Sequence, residues 1–425
     1  MHAARAGIAV QSPRCACCTG AHATGGEPMN LTLTEEQRAW QAKAREFARE
    51  VIAPISLARD RVPGGHEPFD WDIIRQGSKL GLRTAVVAKA WGGHGIDFVT
   101  QALVITELAK GDSAIAKTFS QCWKWSHMMA AVCTPDQQQR FLAAFVEDDT
   151  YLLGHAGTEP NAGSDHRLPP DDDPRWGWKL KAEPHGDEWI LNGEKCFIAN
   201  GGVAKLYFVS TRTNPHVSQR EGSTEFLVPI DTPGLRIGTI FNKSGWRFYQ
   251  NGELIFEDAR VPHANIVGKV NGGFDLRTGT SAPFGDLELG ANALGICDCA
   301  IEQATREART RWPGSAYFKN NQAIQLKLSE MHMLAEALRS FVLRVAMEAD
   351  DKSAHHGSIN HLLLQNFATE AVQRVTALNL DIHGGAGAME MDAAADKLAR
   401  DAVIWTHLAG DSVQRMKSVR RLKWN

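Results

Sequence analysis

Thr158-Glu159-Pro160-Asn161-Ala162-Gly163-Ser164-Asp165, read with the later run Cys196-Phe197-Ile198-Ala199-Asn200-Gly201-Gly202, decides how this chain is understood. In the first run a threonine and a serine flank a turn, and the short side chains of Ala162 and Gly163 let backbone N–H groups approach a phosphate closely. In the second, a strand end brings the ring of Phe197 near. Alone, the first run is only a turn. The pairing of the two carries the information.

Around these runs the texture is that of short strands. Trp189-Ile190-Leu191, Asn192-Gly193 and Cys196-Phe197-Ile198 predict a hairpin closed by its usual turn dipeptide. Segments 205–210, 226–228 and 254–256 add strands separated by Gly, Pro and Asn. Upstream the pattern is helical. Thr34 and Gln37 form a capping-box pair, Trp40, Ala44, Phe47 and Val51 mark one face, and Pro54 is expected to end that helix. Helical texture continues through 103–109 and to Phe145, then returns after Gly273, where Ile324, Leu328, Met331, Leu338 and Val342 hold one face of a long helix. The order predicts a helical unit over 29–150, a small antiparallel β unit over 151–270 and a helical unit over 271–425. Residues 1–28 read as a tail or as sequence before a start at Met29.

With 425 residues, two or three packed units are expected. A net charge of -3 and 22% charged residues leave no nucleic-acid footprint. No apolar run is long enough to span a bilayer. Of eight cysteines, Cys15, Cys17 and Cys18 crowd one segment and the rest are scattered, which argues against a disulfide framework; no second pair accompanies the cluster, so no metal site is expected. Residues 1–26 contain no acid, and Arg5 and Arg14 leave an organelle-targeting reading open; the default is a soluble cytoplasmic protein.

From about Asn30 to its end the chain resembles the acyl-CoA dehydrogenase family. The resemblance implies an α+β fold with an N-terminal helical domain, a middle antiparallel β domain and a C-terminal four-helix-type bundle. It implies FAD as cofactor. By that resemblance Thr158 meets the flavin ring, Ser164 contacts the CoA part of the substrate, and Phe197 packs beside the ring with Ile198 and Ala199. Ala199 departs from a frequent threonine, which removes a hydrogen bond of order ~1 kcal/mol. Arg311 and Gln322 match the arginine and glutamine that reach the FAD diphosphate and adenine across a subunit interface, although Gly314-Ser315 replaces an aromatic–Gly pair between them. Asp381-Ile382-His383-Gly384-Gly385-Ala386-Gly387 resembles the diphosphate-contacting glycine turn, with Asp381 in place of the commoner glutamine. An acid there repels a diphosphate unless it turns away. Trp125 aligns with a position lining the acyl tunnel, where it either shortens the tunnel, offers a flat face to a ring, or simply fills helix core. The stretch from His166 to Trp178 is longer than the family pattern; it is read either as a cover over the CoA entrance or as a surface excursion.

The decisive departure is the base. Dehydrogenation of a thioester needs a carboxylate for the α-proton, held in a desolvated pocket. The usual glutamate position is Ala409, within Leu408-Ala409-Gly410-Asp411-Ser412, and the alternative position on an earlier helix is Gly285. Asp286, Glu288 and Asp411 lie near these positions. The ordinary reading of each is a solvent-facing or ion-paired carboxylate, and Glu288, one helical turn beyond Gly285, is the first candidate for catalysis.

The resemblance therefore implies an FAD-dependent oxidoreductase acting on the Cα–Cβ bond of a bulky or cyclic acyl-CoA, with electron-transfer flavoprotein or a similar acceptor as partner. It also implies a homodimer or tetramer, with a heteromeric assembly open. Two other readings keep the fold: a base-less relative with flavin monooxygenase or desulfinase-type chemistry, and a subunit that only completes the FAD sites of a heteromeric enzyme.

Overall fold

Thr34 caps the first helix as its pairing with Gln37 predicts. In the computed structural model, Thr34 Oγ1 accepts the Gln37 N–H at 3.1 Å and Gln37 Oε1 accepts the Thr34 N–H at 2.9 Å. The structure describes residues 32–167, 173–280, 282–311, 318–351, 359–389, 394–408 and 412–421. Cys15, Cys17, Cys18, Gly314-Ser315, Ala409 and Asp411 lie outside them.

Helix α1 (Glu35–Phe47) buries Trp40, Ala44 and Phe47. Pro54 does not end the helical run as expected. A π-helical turn (Ala48–Ile52) re-phases the chain, and Pro54 falls in the first turn of α2 (Ala53–Arg61), where a missing N–H leaves no helical bond unmade. Then follow α3 (Trp71–Lys79), α4 (Phe98–Gly111), α5 (Ser113–Val132) and the short α6 (Pro135–Gln137) and α7 (Ala143–Glu147). Helices α4 and α5 are buried along most of their length. Between them Asp112 caps α5, accepting the N–H groups of Ala114 and Ile115 at 2.8 and 3.1 Å.

The strands are β1 (Leu152–Ala156), β2 (Lys181–His185), β3 (Glu188–Ala199), β4 (Ala204–Arg212), β5 (Ser223–Pro229), β6 (Leu235–Ile240), β7 (Asn251–Pro262) and β8 (Ile266–Val267). They form one eight-stranded sheet in the order β6-β7-β3-β1-β4-β5-β8, with β2 off this path against β3 and β4. Pairing is antiparallel except that β1 and β2 run parallel to β4.

The hairpin expected at Asn192-Gly193 is absent. Strand β3 runs straight through that dipeptide, and the turn is Gly186-Asp187, between His185 and its cross-strand partner Glu188. Gly193 instead takes φ +136 at a bulge opposite β7. The bulge is clamped by Asn192, whose Nδ2 donates to Asp258 Oδ1 at 3.0 Å while its Oδ1 accepts the Asp258 N–H at 2.8 Å. The Asn-Gly pair is thus spent on bending a long strand rather than reversing it.

The remaining helices are α8 (Gly273–Thr280), α9 (Ala282–Thr310), α10 (Gln322–Asp350), α11 (Asn360–His383), α12 (Ala395–Leu408) and α13 (Ser412–Arg421). Helices α9, α10 and α11 pack pairwise and α12 lies on α11, giving the four-helix arrangement; α9 also packs against α4. Ile324, Met331, Leu338 and Val342 form the buried face of α10. A buried polar knot joins the units. Lys397 Nζ sits 3.1 Å from Asp112 and 2.7 Å from Asp401, and Asp401 accepts from Trp246 N at 2.7 Å and Ser113 Oγ at 3.0 Å. Burial works against the Lys397 charge, but the two aspartates outweigh it and hold the amine above its ordinary range.

Candidate functional site

The run beginning at Thr158 leaves the end of β1 and is pinned from beneath by Glu159. That buried carboxylate accepts from Lys195 Nζ at 2.8 Å, Leu180 N at 3.0 Å and Lys179 N at 2.6 Å. Glu159 and Ala162 exchange two backbone bonds of 3.1 Å, and Thr158 O accepts the Cys196 N–H at 2.9 Å. The two runs singled out in the sequence therefore meet side by side.

At the end of β3 a register shift between Lys195 and Ile198 turns Phe197 outward with φ +54. Asn251 Nδ2 holds this bend by donating to Phe197 O at 2.8 Å. Phe197 is 56% exposed and stacks on Phe241 at 4.4 Å. Ile198 is 1% exposed within the apolar core, so its side chain faces away from any ligand and only its backbone is available. Ala199 is half-buried, and Ser164 begins a short 3-10 turn (Ser164–Arg167) beyond the loop. The ends of the stretch from His166 to Trp178 are tied down: Gln219 Nε2 donates to His166 O at 2.8 Å and Gln219 Oε1 accepts the Trp178 N–H at 3.1 Å.

A second group gathers at the C-terminal end of α11. Gly384 has φ +62, and a Cβ there would lie 3.8 Å from Arg311 Nη1; a Cβ on Gly385 would meet nothing within 4 Å among the described residues. Arg311 also lies over the Phe318 ring, 4.9 Å from its centroid, and Gln322 opens α10 nearby, exposed. Asp381 pairs with Lys327 at 3.2 Å. The result is a glycine turn with a guanidinium beside it and open space above.

Between α5 and α9 lies a third group. Glu288, 1% exposed, pairs through Oε1 with Lys117, and Lys117 also donates to Gln121 Oε1 at 3.1 Å. Glu288 Oε2 is buried and, among the described residues, has no hydrogen-bond partner. Asp286 pairs with His361 at 2.5 Å. Tyr249 sits near enough to feel the Glu288 charge, and burial first, then that charge, raises its phenol well above the ordinary value. Burial pushes the Lys124 amine down to about 8, with Lys117 adding to the effect. Trp125 is packed against neighbouring rings. Its ring is stacked on His155 at 4.5 Å and tilted over Phe208 at 4.9 Å, while its buried Nε1 has no hydrogen-bond partner among the described residues. His155 in turn lies 3.3 Å from both Ser210 Oγ and Glu225 Oε1.

Three domain families match in succession: the N-terminal domain of acyl-CoA dehydrogenase over residues 34–149, the middle domain over 154–259 and the C-terminal domain over 271–423. Isobutyryl-CoA dehydrogenase, mitochondrial, of Dictyostelium discoideum is 30% identical over 92% of this chain and 90% of its own length. The chain belongs to the acyl-CoA dehydrogenase family. Cyclohex-1-ene-1-carbonyl-CoA dehydrogenase of Syntrophus aciditrophicus (strain SB) is 29% identical over 92% of this chain and 90% of its own length. The solved structure of butyryl-CoA dehydrogenase from Megasphaera elsdenii superposes with a TM-score of 0.84 at 30% identity, covering 93% of this chain and all of that one. This acyl-CoA dehydrogenase relative is therefore an oxidoreductase of a flavoenzyme family. No described helix is long and apolar enough to cross a membrane.

Membership implies FAD, and the residues present fit it. An outward-facing aromatic pair beside Thr158 suits a flat ring. The open turn at Gly384-Gly385, with Arg311 against it, suits a diphosphate, because backbone N–H groups and a planar guanidinium both bind phosphate oxygens. The sequence reading missed Glu159 with Lys195, which shapes the first run, and Lys117, which faces Glu288. Neither carries a local signal, since each partner lies far along the chain.

Proposed function

We propose that this acyl-CoA dehydrogenase relative removes hydrogen across the Cα–Cβ bond of an acyl-CoA thioester, with Glu288 taking the α-proton. The observation that carries the reading is the Oε2 of Glu288: a fully buried carboxylate oxygen that no donor among the described residues reaches has room for a proton. Lys117 on Oε1 offsets the cost of burying that charge. When bound, FAD supplies the acceptor for the β-hydride. Thr158, Phe197, the Ile198 backbone and Ala199 hold its ring, and Arg311, Gln322, Gly384 and Gly385 hold a diphosphate and adenine, with Asp381 turned aside. Ser164 contacts the CoA part. Trp125, packed on His155, shortens the acyl space from one side.

The acyl group is branched, bulky or cyclic, a choice supported by the isobutyryl- and cyclohexenecarbonyl-CoA relatives. The acceptor is electron-transfer flavoprotein or its like, the assembly is at least a dimer, and the working compartment is the cytoplasm. Anaerobic bleaching of the flavin by a panel of acyl-CoAs tests the reading. Glu288→Gln, which keeps shape and removes basicity, is expected to slow bleaching by about 10²–10⁴-fold at unchanged FAD content. Wild-type rates in that variant would remove Glu288 from the mechanism. The Lys117 pairing would then be structural, favouring a base-less or FAD-completing role.

A further inference from the structure

Asn251 opens β7, is 4% exposed and lies opposite Ala199 across the β3–β7 ladder. Its Nδ2 donates to Phe197 O at 2.8 Å, its Oδ1 accepts from Lys243 Nζ at 2.6 Å, and its backbone oxygen accepts the Phe241 N–H at 2.9 Å. One residue thus ties down the backbone beneath both rings of the Phe197–Phe241 stack, whose centroids lie 4.4 Å apart. The bend at Phe197 does not hold itself. A bulky aromatic residue at φ +54 is strained, and it keeps that conformation only where its surroundings impose it. The Phe197 oxygen can only accept, so the Asn251 amide must turn its nitrogen towards it. Lys243 favours that orientation. Its amine donates to Asn251 Oδ1 and to Tyr249 O, and an amide flipped end for end would set Nδ2 against this donor.

Resting on the assignment of Phe197 to the flavin ring above, we infer that Asn251 is a positioning residue for the cofactor. It sets the pair of rings against which the flavin lies, and Lys243 sets Asn251. Phe197, 56% exposed, is the surface offered to the ring, and Asn251 acts through it.

Asn251→Asp tests this with almost no change of shape. It keeps an acceptor for Lys243 and turns a second acceptor on Phe197 O, where two oxygens repel. The FAD dissociation constant, read from flavin fluorescence as the holoprotein is diluted, is expected to rise about ten- to a hundredfold. The visible circular dichroism of the bound flavin is expected to change with it. Lys243→Met, which frees the amide to flip, shifts both in the same direction by less. A general loss of stability would also weaken FAD, and Phe197→Gly separates the two cases. Glycine adopts φ +54 without a steric penalty and has no ring to aim. In that background Asn251→Asp is expected to leave the dissociation constant within about twofold of Phe197→Gly alone. Equal losses in the two backgrounds overturn the inference and leave the FAD assignment standing, as does an unchanged dissociation constant and dichroism in Asn251→Asp. A Phe197→Gly protein that binds FAD as tightly as the wild type removes Phe197 from the flavin site, and the inference falls with that assignment.

Discussion

A carboxylate with one oxygen paired and the other bare accepts a proton without first breaking a bond, and among the described residues Glu288 is such a group. Glu159 is the opposite case. Both of its oxygens are bonded, to Lys195 and to the N–H groups of Lys179 and Leu180, and its work is to hold the loop that carries Thr158. Lys195→Met leaves that buried carboxylate without its counter-ion, at a cost of about 3–5 kcal/mol. The expected outcome is a lower melting temperature together with weaker FAD retention, measured by thermal shift and by flavin absorbance after gel filtration. Retention unchanged in a destabilised protein would mean that the loop keeps its shape without the pair. At this scale the sequence was informative where a residue belongs to a local run, as Thr158 and Phe197 do. It was silent on pairings such as Lys117 with Glu288, which the fold makes across two domains.

Elements were legible in kind and less so in their punctuation. Pro54 and Asn192-Gly193 are strong breakers by local chemistry, yet one opens a helix and the other bulges a strand, because neighbouring packing decided which use was made of them. Helix α5 shows the converse, an element whose burial exceeds what its polar residues announce. His127 on this helix stacks on Phe98 at 5.5 Å, and burial pushes its imidazole down to about 4. Because the folded value lies below the ordinary 6.5, the unfolded chain binds the proton more readily as pH falls. Stability from this group is full above pH 6.5 and is lost as pH drops through 4, by roughly 3 kcal/mol in all. Melting temperatures recorded between pH 7.5 and pH 4.5 should therefore fall less steeply in His127→Phe, which keeps the stack and cannot charge. An identical slope in the two proteins would assign the acid sensitivity elsewhere.

For the whole molecule, the order of helices, sheet and helices was readable from periodicity, while the assembly leaves only indirect marks in a single chain. The residues assigned to the cofactor fall in two groups, Thr158 with Phe197 on the sheet and Arg311 with Gly384 and Gly385 at the end of the helical bundle. Beside the second group, α10 exposes Leu326 by 72% and Met333 by 64%, seven residues apart on one face. Large apolar side chains in a row on a helix surface mark a face that another surface covers. A neighbouring copy docked there would cover the apolar row and, by bringing the glycine turn and Arg311 to the other protomer's flavin, would join the two groups. Purified protein should therefore be at least a dimer by light scattering. Arg311→Ala removes a permanent, bidentate phosphate partner and should lower FAD occupancy while leaving the oligomer and its circular dichroism intact. A monomer holding a full complement of flavin would show instead that one chain completes the site by itself, and Arg311 would then serve only to pack over Phe318.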